Sequence, residues 1–358
     1  MRNYSKSLAA AAAACGLALS PVAETWTIPS RAAASGPGGP ELAMYGRAAP
    51  AAPHAPVRVR EVPELRARRA DSRPTTSPTP VRDRLERPGP HRVVHVELAD
   101  PHGAVEFVLF RPADLARKDT VFPVITWGNG TDAAPGQYAR LLSHLASWGF
   151  LVVASTSGNT GTGDEMLRGV QRLKALNRTA GDPLFSHVDT RHIGVAGHSQ
   201  GAGGAVRAAN APRSPVDVIV TFNLPKILFQ NDAETVYYGM IGGPTIDLSV
   251  TGLPNQAPWH ADELEVPALF ASGTHDSVLS GPNSNQKFFA EAQGPAAVGL
   301  VEGSGHSDIQ GRAEPFLGYV TAWFRRWLAR DELSARAFTG SRPEFVDASG
   351  WQYQTVKN

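Results

Sequence analysis

Cysteine is nearly absent. Cys15 is the only one in 358 residues, so no disulfide can form within the chain and no thiolate metal site can be built. An excess of either charge is missing as well. The 34 Lys and Arg are balanced by 33 Asp and Glu, a formal net charge of +1 at pH 7. That balance gives no electrostatic argument for nucleic acid as a partner. Long apolar runs are lacking too. The run from Leu8 to Leu19 is too short to cross a bilayer as a stable helix, and no later segment reads as a membrane span.

What is present begins with a leader. Arg2 and Lys6 precede that apolar run, and Ala32, Ala33 and Ala34 follow it as a small-residue cleavage site. Residues 1–34 therefore read as a secretory signal peptide, and a secreted, extracellular protein is expected. An Ala-rich helix and a lipoprotein acylated at Cys15 are the other readings of these residues. Residues 35–90 read as a disordered Pro/Ala/Arg-rich linker. Proline recurs every few positions there and large apolar residues are sparse.

From residue 91 the pattern is globular, and 42% hydrophobic composition is enough for a sizeable core. "RVVHVELAD" and "AVEFVLFRP" alternate as two strands joined by a turn near Gly103. "FPVITWG" is a continuous apolar strand of the kind buried on both faces. Helices are expected from about Gln137 to Trp148, over "EMLRGVQRLKAL" and "GAGGAVRAAN", near Gln286 to Ala292, and from Glu314 to Ala329. The strands "FLVVAS", "HIGVAG", "VDVIVTF", "VPALFAS" and "AVGLVEG" fall between them. This alternation predicts an α/β fold over residues 91–358, a mostly parallel central sheet with helices on both faces. Residues 226–265 form a long insert, either a lid or ordinary packed helices.

Within that pattern, Gly197-His198-Ser199-Gln200-Gly201 fits G-x-S-x-G. It follows a buried strand and opens a helix, the setting that a nucleophile elbow requires. The P-loop lysine and the dinucleotide spacing are both missing from this turn, and no cofactor or metal is expected. A serine hydroxyl needs a base, and the base needs a carboxylate to orient it. In an α/β-hydrolase the order along the chain is serine, acid, histidine. Beyond Ser199 lie His260, His275 and His306, and of these only His306 sits in a loop directly after the last core strand. Asp276 follows "VPALFAS" and is the expected acid. Asp308 is the alternative, although it is only two residues from His306. The oxyanion donors are expected to be the backbone N–H groups of Gln200 and Asn129, with Gly130 second for the latter. Trp127, Phe222 and Trp259 are the expected walls of an acyl pocket, with the polar side chains of Gln200 and Asn129 at its mouth.

The segments "VITWGNGT", "LASWGFLVVAS", "GVAGHSQGAGGA", "VPALFASGTHDSV" and "GSGHSD" together resemble the secreted serine α/β-hydrolases of the dienelactone hydrolase and bacterial cutinase (polyester hydrolase) branch. The resemblance runs from Val93 to Ala329. It implies the α/β-hydrolase fold, Ser199 as nucleophile, Asp276 as acid, His306 as base, and Gln200 and Asn129 as oxyanion donors. The chain departs from that branch in several places. Cutinases usually carry an aromatic where Asn129 stands, a methionine where Gln200 stands, a C-terminal disulfide and a shorter insert. The expected function is a secreted carboxylic-ester hydrolase acting through an acyl-enzyme on a small-molecule or polymeric ester, as a monomer. A peptidase or amidase on the same fold, a lipase with 226–265 as its lid, and a non-catalytic binding protein are the alternatives.

Overall fold

A computed structural model describes residues 59–61, 80–115, 120–225, 227–229, 236–238, 259–276, 282–311 and 313–358. All of them fall within Pro56–Asn358. The expected leader, most of the expected linker and most of the 226–265 insert lie outside the described residues.

One ten-stranded sheet organises the described chain. In chain order its strands are β1 (Val59–Glu61), β2 (Val93–Ala99), β3 (Val105–Pro112), β4 (Phe122–Gly128), β5 (Leu151–Ser155), β6 (Val188–His198), β7 (Val218–Phe222), β10 (Ala268–Gly273), β11 (Ala296–Val301) and β12 (Trp351–Lys357). The short strands β8 (Ile227–Phe229) and β9 (Val236–Tyr238) pair with each other, antiparallel, in a separate sheet. The spatial order of the main sheet is β1-β2-β3-β5-β4-β6-β7-β10-β11-β12. Strands β5, β4, β6, β7, β10 and β11 run parallel, and antiparallel strands flank them at both edges. This is the expected α/β-hydrolase fold, with its mostly parallel sheet.

The parallel block forms from apolar runs because both of its faces are covered. The helices are α1 (Val81–Leu85), α2 (Ala139–Ser147), α3 (Asp164–Leu176), α4 (Gln200–Asn210), α5 (Pro282–Glu291), α6 (Glu314–Leu328) and α7 (Glu332–Ala335). Period-2 alternation splits the strand residues between two layers. Ile125, Trp127, Val220 and Phe222 pack with Leu141, Leu145, Phe316 and Trp323 under α2 and α6. Val195, Ile219, Phe270 and Val298 face α4 and α5 on the other side, and Val124, Leu151 and Val153 face α3. Phe222 and Phe316 meet edge to face at 5.6 Å. Full burial of each is worth about 1.5–3 kcal/mol.

The N-terminal boundary of the domain differs from expectation. Residues 80–90 are packed against the domain rather than forming the end of a loose linker. Val81 and Leu85, on α1, are buried. The Glu344 carboxylate accepts the N–H groups of Val81 and Arg82 at 2.7 and 2.9 Å. His144 Nε2 lies 2.8 Å from the Leu85 carbonyl, and Gly89 N–H donates to Ser147 Oγ at 2.8 Å. A composition rich in Pro and Arg concealed this docking, because just two buried apolar side chains on α1 carry it, beside hydrogen bonds to residues distant in sequence. Strand β12 was also missed: Trp351 is its only fully buried residue, so it shows no apolar pattern, and it joins the sheet through backbone pairing with β11.

Candidate active site

The carboxyl ends of neighbouring parallel strands bring the chemistry together, as open α/β sheets do in general. In sheet order, Asn129 follows β4, Ser199 follows β6, Asn223 follows β7, Asp276 comes just after β10, and His306 lies in the loop after β11.

Strand β6 turns into α4 at Ser199, whose φ of 54° and ψ of −121° lie far from ordinary helix or strand values. Such a conformation costs about 1–3 kcal/mol and persists only where its surroundings enforce it. Here Ser199 N–H donates to the Phe222 carbonyl at 2.9 Å, and the Ser199 carbonyl accepts Ala202 N–H at 2.9 Å. Glycine on either side is a steric requirement. A Cβ on Gly197 would fall 2.1 Å from the Gly201 oxygen, and one on Gly201 would fall 2.3 Å from the Gly128 oxygen.

The turn aims Ser199 at His306. His306 Nε2 lies 2.9 Å from Ser199 Oγ, and His306 Nδ1 lies 2.8 Å from Asp276 Oδ2. A carboxylate oxygen can only accept, so Nδ1 carries the proton and Nε2 is free to accept from the serine hydroxyl. Asp276 is 2% exposed. Asp308 does not contact His306 Nδ1. Its Oδ2 accepts Gly305 N–H at 2.9 Å and shapes the loop that carries His306.

Sequence reasoning missed Asn223. It is fully buried, has a φ of 52°, and donates from Nδ2 to Asp276 Oδ2 at 2.7 Å. The available signal was its place directly after a parallel strand lying between those of Ser199 and Asp276. His198 was also overlooked. Its ring is buried, with Nε2 2.8 Å from the His306 carbonyl and Nδ1 3.0 Å from Tyr138 Oη. Burial chiefly, then the neighbouring His306, pushes its pKa from 6.5 to about 3, so His198 stays neutral. Burial likewise pushes the Tyr138 hydroxyl up.

Residues 69–223 match the PETase family model, described as PET hydrolase-like. That stretch of the chain is similar to the PET hydrolases. The match fits the cutinase-like polyester hydrolase branch of α/β-hydrolases that the sequence resembles, and it supports hydrolysis of ester bonds. The PET hydrolase-like span includes Asn129, Ser199 and Gln200 but ends before Asp276 and His306. No curated protein matches the chain.

The expected pocket walls lie elsewhere. Trp127 and Phe222 have no exposed surface, because strand alternation turns them beneath α2 and α6. Trp259 is 6% exposed and covers α4, where a Cβ on Gly203 would fall 2.5 Å from its ring. None of the three lines an open acyl pocket. The polar mouth also needs correction. Gln200 Oε1 accepts Thr160 N–H at 3.0 Å. Asn129 is fully buried, accepts Trp127 Nε1–H at 3.1 Å and donates to the Ser155 and Ser157 carbonyls at 2.6 and 2.9 Å. Both amides therefore point into the protein. As the first residue of α4, Gln200 has an N–H without an intrahelical acceptor. Gly130 N–H, by contrast, donates to Tyr138 Oη at 3.0 Å. Among the described residues, no group of three or more His, Cys, Asp or Glu could hold a metal ion, and no helix is long and apolar enough to cross a membrane.

Proposed function

We propose that the chain is a secreted serine hydrolase that cleaves carboxylic esters of the polyester type through an acyl-enzyme. The observation that carries this reading is the hydrogen-bonded line from Ser199 Oγ through His306 to Asp276 Oδ2, with separations of 2.9 and 2.8 Å.

In the proposed cycle, His306 Nε2 takes the Ser199 proton as Oγ bonds to the ester carbonyl carbon. Asp276 holds the imidazole in the Nδ1–H tautomer and stabilises its protonated form. The oxyanion is met by the N–H groups of Gln200 and Asn129. Loss of one such donor typically costs about 10²–10³ in kcat. Collapse of the tetrahedral intermediate breaks the C–O bond, and His306 returns the proton to the leaving alcohol. Water then attacks the acyl-enzyme, gives its proton to His306 and releases the carboxylic acid as Ser199 recovers its proton. Within this scheme Asn223 holds Asp276 in place.

The test compares p-nitrophenyl esters of rising acyl length and an aromatic polyester film with peptide anilides. Ester turnover, together with soluble acid released from the film, is expected. Anilide cleavage without ester cleavage would move the protein to the amidases.

A further inference from the structure

Beyond the line from Ser199 to Asp276, a second buried hydrogen-bond chain runs through the site. Its centre is the peptide group joining Asn129 to Gly130. On one side Thr160 Oγ1 donates to the Asn129 carbonyl at 2.8 Å. On the other, Gly130 N–H donates to Tyr138 Oη at 3.0 Å. Tyr138 Oη lies 3.0 Å from His198 Nδ1, and His198 Nε2 lies 2.8 Å from the His306 carbonyl. At its start, Thr160 N–H donates to Gln200 Oε1 at 3.0 Å.

Chemistry sets the direction of every link. The His306 carbonyl can only accept, so His198 Nε2 carries the proton and Nδ1 is bare. The Tyr138 hydroxyl must therefore donate to Nδ1, which leaves its oxygen to accept from Gly130 N–H and from Gln310 Nε2 at 3.1 Å. From the Thr160 hydroxyl to the His306 carbonyl the dipoles align head to tail, an arrangement in which each bond strengthens the next. Tyr138, Thr160 and Asn129 have no exposed surface and His198 is 2% exposed, so water competes weakly with these bonds.

We propose that Tyr138 and Thr160 are positioning residues of this site. Their hydroxyls hold the two sides of one peptide group, and through His198 and Gln200 they tie it to the base loop and to the start of α4. The inference rests on the proposed serine mechanism and deepens it. A held Asn129–Gly130 peptide fixes the orientation of the neighbouring Asn129 N–H, and Gly130 N–H is already engaged. Asn129 is thereby selected over Gly130 as the oxyanion donor of this loop. Thr160 also links the two residues that supply the proposed donors, Asn129 and Gln200.

The experiment uses the full chain with Tyr138→Phe, Thr160→Val, their combination, and Thr160→Ser as the variant that restores the hydroxyl. Each single loss should lower kcat on p-nitrophenyl butyrate about three- to tenfold, the weight of one neutral hydrogen bond, with KM within about twofold. The inhibition constant of phenylboronic acid, which forms a tetrahedral adduct on serine, should rise by the same factor as kcat falls. Thr160→Ser should recover wild-type rates. The double variant should lose less than the product of the singles, because either loss already frees the peptide group. Thr160→Val alone carries the test if Tyr138→Phe fails to fold. Unchanged kcat in folded variants, a rise in KM alone, or a loss that Thr160→Ser does not recover would overturn the positioning role. Fluorophosphonate labelling of wild-type Ser199 separates the two levels. Absence of labelling overturns the serine mechanism itself, whereas labelling with unaffected variants overturns only this inference.

Discussion

Asn223 Nδ2 approaches the same oxygen of Asp276, Oδ2, that faces His306, at 2.7 Å and 2.8 Å respectively. One carboxylate oxygen thus receives two donors inside the protein, the imidazole of His306 and the amide of Asn223. Asn223→Asp keeps the shape and the tolerance of positive φ but sets a second carboxylate against the first. The two carboxylates would repel each other, and Asp276 would lose the amide donor that now holds it. We expect kcat/KM to fall by at least about tenfold, the weight of a hydrogen bond to a charged group, with a smaller effect on KM. Steady-state kinetics of the purified variant check this, and activity equal to wild type would remove Asn223 from the account.

Asp276 and Asp308 should separate cleanly. Asp276→Asn is expected to lower kcat by about 10⁴, as loss of the orienting carboxylate does in serine hydrolases. In Asp308→Asn the amide oxygen can still accept Gly305 N–H, so activity should stay within about tenfold of wild type. The reverse ranking in a kcat comparison would assign the acid to Asp308.

The pH dependence of stability should carry the mark of His144. Burial chiefly lowers its pKa from 6.5 to about 4, and the residue is 3% exposed. Its folded form is therefore the neutral one. The stabilisation is complete above 6.5, declines as pH falls below that value, and is gone below about 4. The whole swing is on the order of 3 kcal/mol. His144→Gln, whose amide can still donate to the Leu85 carbonyl, should flatten urea-unfolding stability between those limits. An unchanged slope would show that His144 does not titrate with folding.

Leu85→Ala tests the docking of residues 80–90. Leu85 is 1% exposed, and its truncation should cost about 2–4 kcal/mol in urea unfolding. A loss under about 0.5 kcal/mol, the range of surface substitutions, would restore the loose-linker reading of this segment.

How much could be read from the sequence depended on which contacts carry each element. Strands β4, β5, β6, β7, β10 and β11 were legible because burial on both faces demands continuous apolar runs. Helix α1 was not, since its N-terminus is held by Glu344, more than 250 residues away. Serine, acid and histidine were legible as an order of residue types after strands, and the structure brings Ser199, Asp276 and His306 within hydrogen-bonding distance. Trp127 and Phe222 were misread as pocket walls because a strand end near the site does not say which face the side chain takes. Tyr138 and Thr160 lie in no motif, and the places of His198 inside the elbow motif and of Asn223 after a strand do not reveal their partners, which three-dimensional packing sets.

The most direct measurement of the central claim is kcat/KM of Ser199→Ala on p-nitrophenyl butyrate, beside its thermal unfolding midpoint. The change removes one oxygen from the start of the line to His306 and Asp276. The expected result is a loss of about a millionfold with the fold intact. Retention of more than about one per cent of wild-type activity in the pure, folded variant would contradict nucleophilic catalysis by Ser199.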